Sequence, residues 1–136
     1  VSQEAIDAQV RCLNLVNRGE LSDEVLHSLF TPDLKLQNPA TGVTDGSYEG
    51  PAAVREWIGD FIEAFGQGAR VEIDKIIVDG DDFVMTRQRC IGEGIRSGAP
   101  LELRWMNVTW LRDGRICRMA GYANRHEAFK AVGLEE

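Results

Sequence analysis

Asn38 ends the run Leu34-Lys35-Leu36-Gln37-Asn38 directly before Pro39, and two more amides, Gln88 and Asn107, fall in strand-like stretches later in the chain. A side-chain amide donates and accepts hydrogen bonds but does not titrate. It can polarise a carbonyl or hold a water, and it cannot act as a general base near neutral pH. Such groups suit the carbonyl and hydroxyl oxygens of a neutral molecule better than a carboxylate. Two readings stand for Asn38, a ligand or water donor and a plain strand-ending residue, because asparagine is common in such turns. Two also stand for Gln88 and Asn107. They are pocket amides facing a ligand, or a mutually satisfied pair that fixes strand register.

The other reactive side chains offer less. Cys12, Cys90 and Cys117 show neither CxxC nor metal-ligand spacing, and neither His27 nor His126 sits near a cysteine in sequence, so reduced thiols and no zinc site are expected. Cys12 and Cys90 read as small core residues, since no histidine or lysine is placed to lower a thiol pKa. Trp57 and Trp105 read as core or pocket wall. Asp45, Tyr48 and Glu49 lie in the stretch after Pro39, where a loop could cover a pocket mouth. They are the local candidates for an acid or a hydroxyl, and a solvated loop is the plainer reading. No motif calls for a cofactor or a metal.

Bulk properties narrow the class. The chain has 136 residues, 43% of them hydrophobic, and a net charge of −7. One domain spanning 1–136 with a single core is expected. The negative charge disfavours nucleic acid and anionic membrane surfaces as partners. No apolar stretch approaches the ~20 residues that span a bilayer. The first residues show no basic or apolar leader pattern, and a cytoplasmic setting is the default expectation.

The elements that must position these groups can be read from periodicity. Ser2 caps a first helix with Ile6, Val10, Leu13 and Val16 at helical spacing; Ser22 caps a second with Val25, Leu26, Leu29 and Phe30 on its apolar face. A brief strand, Leu34 to Asn38, precedes a third helix that opens at Gly50-Pro51 and buries Val54, Trp57, Ile58, Phe61 and Phe65. Strands are predicted over Arg70–Val78, Phe83–Ile95, Leu101–Leu111 and Arg115–Ala123, joined by hairpin-type connections. Asn124 with Glu127 caps a last helix, Arg125–Val132. This order predicts an α+β fold with a mostly antiparallel sheet and helices on one face.

Alternation sets Leu101, Leu103, Trp105, Asn107 and Thr109 on one face of their strand, and Glu102, Arg104, Met106, Val108 and Trp110 on the other. Val84, Thr86, Gln88, Cys90 and Gly92 share a face of the preceding strand. The turn between the two strands allows a register with Gln88 near Asn107 and Cys90 near Trp105; a slip of two residues keeps the same facing. The uncharged Gln88/Asn107 face is expected to lie under the helices. The opposite face, with Phe83, Met85, Met106, Val108 and Trp110, is too apolar for water, and a homodimer packed sheet to sheet is expected to cover it. On the final strand, a two-residue Asp113-Gly114 turn would point Ala120 and Tyr122 inward, whereas a turn with a glycine bulge would point Cys117, Met119, Gly121 and Ala123 inward.

Gly19-Glu20-Leu21, Leu29-Phe30-Thr31-Pro32-Asp33, Asn38-Pro39, Gly50-Pro51-Ala52-Ala53-Val54-Arg55 and the run from Trp110 to Ile116 occur in an order that resembles the nuclear transport factor two-like superfamily. Within it, the chain is similar to the SnoaL-like group that includes polyketide cyclases and ketosteroid isomerase-like proteins. The resemblance covers nearly the whole chain. It implies a cone, a strongly curved sheet wrapped on helices around an apolar pocket.

Three catalytic patterns of that superfamily fall on this sequence. The aspartate base, tyrosine and protonated aspartic acid of ketosteroid isomerases fall at Asn38, Cys12 and Asn107. SnoaL-type cyclases share Asn38-Pro39-Ala40-Thr41, but their histidine and aspartate fall at Asn107 and Gly121. Limonene epoxide hydrolase resembles the chain at Gln37-Asn38, while its arginine and two aspartates fall at Gln88, Cys90 and Gly121. Every ionisable member of the three patterns is replaced.

The expectation is therefore a pocket lined by Asn38, Trp57, Gln88, Cys90, Trp105, Asn107 and Gly121 that takes a small, largely apolar, oxygen-bearing molecule. Asn38 and Asn107 are the candidates for catalysis of cyclase or isomerase type. A non-catalytic ligand-binding or protein-interaction domain is the alternative, and an epoxide hydrolase-like enzyme a further one.

Overall fold

The computed structural model describes residues 3–18, 22–37, 47–65, 68–93 and 100–134. Ser2, Asn38 and Asp45 lie outside them. Along the chain run α1 (Gln3–Arg18), α2 (Asp23–Leu29), β1 (Phe30–Gln37), β2 (Ser47–Glu49), α3 (Ala53–Phe65), β3 (Arg70–Asp79), β4 (Phe83–Glu93), β5 (Pro100–Arg112), β6 (Arg115–Tyr122) and α4 (Arg125–Ala131). The strands form one sheet in the order β2-β1-β6-β5-β4-β3. All neighbours are antiparallel except β1 and β6. The expected α+β architecture is the one observed.

Several boundaries follow the expected chemistry. Ser22 Oγ accepts from the Val25 N–H at 3.2 Å, and Asn124 Oδ1 from the Glu127 N–H at 2.9 Å, each satisfying a donor at a helix start. Gly50 sits at φ +84°, in the left-handed region, and three successive short-range backbone bonds from Ala53, Val54 and Arg55 wind the chain from Gly50-Pro51-Ala52 into α3.

Other elements differ from expectation. Phe30, read as the end of the second helix, is extended (φ −117°, ψ 149°) and begins β1 opposite Ile116. Its ring is buried among Leu26, Leu29, Leu34 and Leu36, so tertiary packing decides what local propensity left open. Ser47–Glu49, expected in a loop, forms the edge strand β2, with Leu36 opposite Tyr48 and Lys35 opposite Glu49. On α1, Val10 stays exposed while Cys12 is buried, with Ala8 and Leu15 packed against the same core. The stripe that faces the core therefore runs through 8, 12 and 15 rather than through 10.

Two apolar clusters sandwich the sheet. On the inner face, α1, α2 and α3 enclose Cys12, Leu26, Leu29, Phe30, Leu34, Leu36, Val54, Ile116 and Met119. The outer face is covered in part by α4. Ala128, Phe129 and Val132, in and just after α4, pack with Met85, Met106, Val108, Phe83 and Trp110. Met106 is 3% exposed and Val108 fully buried, so the helix already removes them from water. The face expected to pair with a second copy through Met106, Val108 and Trp110 carries α4. Beyond α4 the outer face is a wet ladder of ion pairs, Arg87 to Asp74 at 2.7 Å, Arg89 to Glu72 at 3.0 Å and Arg104 to Glu102 at 3.0 Å.

Candidate functional site

The register of the long hairpin decides which polar groups meet. Gln88 pairs with Trp105, Thr86 with Asn107 and Cys90 with Leu103. This is two residues away from the expected register, and because side chains alternate with period two the facing is kept. Gln88 and Asn107 are therefore diagonal neighbours on the inner face, both buried, at 3% and 5% exposure. They are not a mutually bonded pair. Gln88 Nε2 donates to Thr86 Oγ1 at 3.1 Å, and Asn107 Nδ2 donates to Thr109 Oγ1 at 2.9 Å. Each amide is braced by a threonine two residues along its own strand, which is the nearest residue on the same face.

The last strand resolves the two readings of its facing by combining them. Asp113 (φ 54°) and Gly114 (φ 78°) are both left-handed, and Arg112 pairs with Arg115 around them, as in a two-residue hairpin turn. That turn alone would point Ala120 inward. However, Leu111 pairs with Ile116 while Trp110 pairs with Arg118, so Cys117 has no partner on β5 and forms a bulge. Beyond it the alternation is reversed. Met119 faces Thr109 and Gly121 faces Asn107 on the inner side, and Tyr122 faces Met106 on the outer side. Cys117, expected inward with the bulge, is the bulged residue itself, and Ile116 takes the buried inner position. The Cys117 thiol reaches the Trp110 carbonyl at 3.5 Å.

The structure thus brings Gln88, Asn107, Thr86, Thr109, Cys90 and Gly121 onto one patch of the inner face, with Trp105 beside Gln88. Trp57, half-buried on α3, packs against the neighbouring apolar core. The patch carries no carboxylate and no basic side chain. Burial raises the Cys90 thiol to about 11 and the Cys12 thiol to about 12, so both are neutral at physiological pH and neither is an activated nucleophile. Among the described residues no three His, Cys, Asp or Glu side chains come together to hold a metal ion.

Tyr48 and Glu49 lie in a strand rather than a loop. Both belong to β2, Glu49 facing outward with Lys35 and Tyr48 inward with Leu36, its ring against the inner core. The Tyr48 hydroxyl donates to the Asp60 carboxylate of α3 at 2.5 Å, a short charge-assisted bond. Asp60 is the residue that sequence reasoning missed. It stands one turn beyond Trp57 on α3, and nothing in the sequence links it to Tyr48 until β2 is known to be a strand.

The SnoaL-like domain family model matches residues 10–119. No curated protein matches the sequence. Among solved structures, the proposed SnoaL-like polyketide cyclase from Jannaschia sp. CCS1 superposes with a TM-score of 0.70 at 16% identity, over 98% of this chain and 94% of that one. IdmH from Streptomyces antibioticus, also a proposed polyketide cyclase, gives 0.71 at 22% identity, over 97% and 99%. These likenesses establish a cone-like α+β fold. A de novo designed protein with a curved β-sheet also superposes, at 0.59 and 20% identity over 97% and 93% of the two chains, so the shape alone assigns no chemistry.

Proposed function

Because the chain belongs to the SnoaL-like domain family, we propose that it binds a neutral, largely apolar small molecule bearing carbonyl or hydroxyl oxygens, of polyketide, steroid or terpenoid type. The observation that carries this reading is Gln88. It is 3% exposed, and among the described residues its amide makes the single bond to Thr86, leaving a carbonyl oxygen and an N–H that point to a further partner. A buried amide left half-satisfied costs about 1–3 kcal/mol, which a ligand oxygen or hydroxyl would offset. Asn107, diagonal to it, supplies a second neutral polar group, and the absence of charge on the patch favours an uncharged ligand.

A catalytic role of cyclase or isomerase class is the second reading, and Tyr48 with Asp60 favours it. This phenol–carboxylate couple, exposed where β2 meets α3, is the ionisable pair that such a reading would use.

Mass spectrometry of small molecules retained by the native protein from a metabolite extract tests the reading. A retained polyketide, steroid or terpenoid, lost in Gln88→Leu and Asn107→Leu variants that still fold, supports binding. Conversion of that molecule by the wild type but not by Tyr48→Phe supports catalysis. An empty protein across a broad extract would instead favour an interaction domain.

A further inference from the structure

We propose that the outer face of the sheet carries a second small-molecule site, which takes a monoanionic carboxylate between Lys35 and Arg118. The two cations are register partners across the parallel β1–β6 pair and stand side by side on the outer face. Like charges directly opposite on neighbouring strands destabilise a sheet, so this placement asks for a counter-charge. The chain has acids in excess, and on the same face Arg87, Arg89 and Arg104 each have one within 3.0 Å. Among the described residues Lys35 and Arg118 have none within ion-pair distance.

The pair lines a depression of about 330 Å³ at the β2-β1-β6 edge, clear of α4, with the neutral side chains of Gln37 and Ser47 beside it. That volume takes a molecule larger than a simple ion. Arg118 is held in place by its guanidinium lying 4.4 Å from the centre of the Trp110 ring, which leaves its N–H edge available for a carboxylate. Glu49, across from Lys35 in the same row, also lines the depression. With it the local charge is one net positive, which one carboxylate neutralises, whereas a phosphate dianion leaves an excess negative charge beside Glu49.

The indole N–H of Trp110 reports on this site, and those of Trp57 and Trp105, on α3 and the inner face, serve as references. Benzoate is titrated into ¹⁵N-labelled protein at constant ionic strength, with neutral benzamide and inorganic phosphate as controls. The expected result is a saturable shift of the Trp110 indole with benzoate alone. Lys35→Met should weaken binding by about tenfold or more, the loss of one charge-assisted contact. Glu49→Gln should tighten benzoate and admit phosphate. The proposal is overturned if Trp110 does not respond saturably, if benzamide acts as benzoate does, if Trp57 and Trp105 shift in its place, or if Lys35→Met binds as the wild type does. None of these outcomes depends on the inner-face amides, so the inner-face reading stands or fails separately.

Discussion

Asn107 faces Gly121 across β5 and β6 because Cys117, four residues earlier on β6, has no partner on β5. One unpaired residue reverses the facing of everything after it. It places the small Gly121 opposite a buried amide and sends Tyr122 to the outer face, beside Met106.

Deleting Cys117 should therefore be far more damaging than substituting it. Removal restores strict alternation and turns Met119 and Gly121 outward, exchanging buried and exposed faces on a central strand. The deletion variant is expected to lose cooperative thermal unfolding by circular dichroism. Cys117→Ala, which keeps the bulge, should cost no more than about 1 kcal/mol.

Ending the chain at Ala123 removes α4 and uncovers Met85, Met106 and Val108. Burying a side chain of this kind contributes about 1.5–3 kcal/mol, so for three of them the loss should be on the order of 5 kcal/mol or more in urea unfolding. The truncated chain is expected to self-associate, and sedimentation velocity at micromolar concentration should show a heavier species than the full chain gives. Ala128→Glu, which sets a charge into the same buried seat, should act in the same direction. Equal association states would mean that α4 is not what keeps this face covered.

The alkaline limb of stability should carry the signature of Cys12. Its thiol is raised by burial from 9.0 to about 12, so the folded state holds the proton more tightly than the unfolded chain does. The contribution is complete below pH 9 and is lost as pH rises toward 12. Chemical denaturation of Cys12→Ala against the wild type should show a difference that narrows across this window. In the same range the native thiol should resist a disulfide reagent that labels it at once in denaturant.

The acid limb should depend on Asp33. The Arg112 guanidinium, with help from the Thr31 hydroxyl, lowers its carboxyl from 3.8 to about 2. A depressed carboxyl contributes above its unfolded pKa and ceases to as pH falls through the folded one. Asp33→Asn should be less stable than wild type at pH 5, and the two curves should converge between pH 4 and 2.

Much of this architecture was legible in the sequence, and the misses share a cause. Ser22, Asn124 and the Asp113-Gly114 turn act through neighbours a few residues away, so their roles can be read locally. The facing of Gln88 and Asn107 survived an error of two residues in register because side chains repeat with period two. Phe30 and Tyr48 were misread because their surroundings come from distant elements, namely β6 and α3. Asp60 was missed for the same reason. Its partner lies twelve residues back, on a strand too short to carry a periodic signal. Asn38, the residue with the strongest local signal, lies outside the described residues.

The parallel β1–β6 pair also constrains how the chain can fold. Leu34 and Leu36 precede by about eighty residues the strand that flanks them, with Ile116 and Met119. Contacts of such long sequence separation must overcome a large loop-closure entropy before they stabilise anything. During translation β1 therefore waits, its apolar side chains sheltered by little more than α1 to α3, until β6 leaves the ribosome. The β5–β6 hairpin and its bulge must form before β1 has an edge to join, which makes the completion of the sheet a late event.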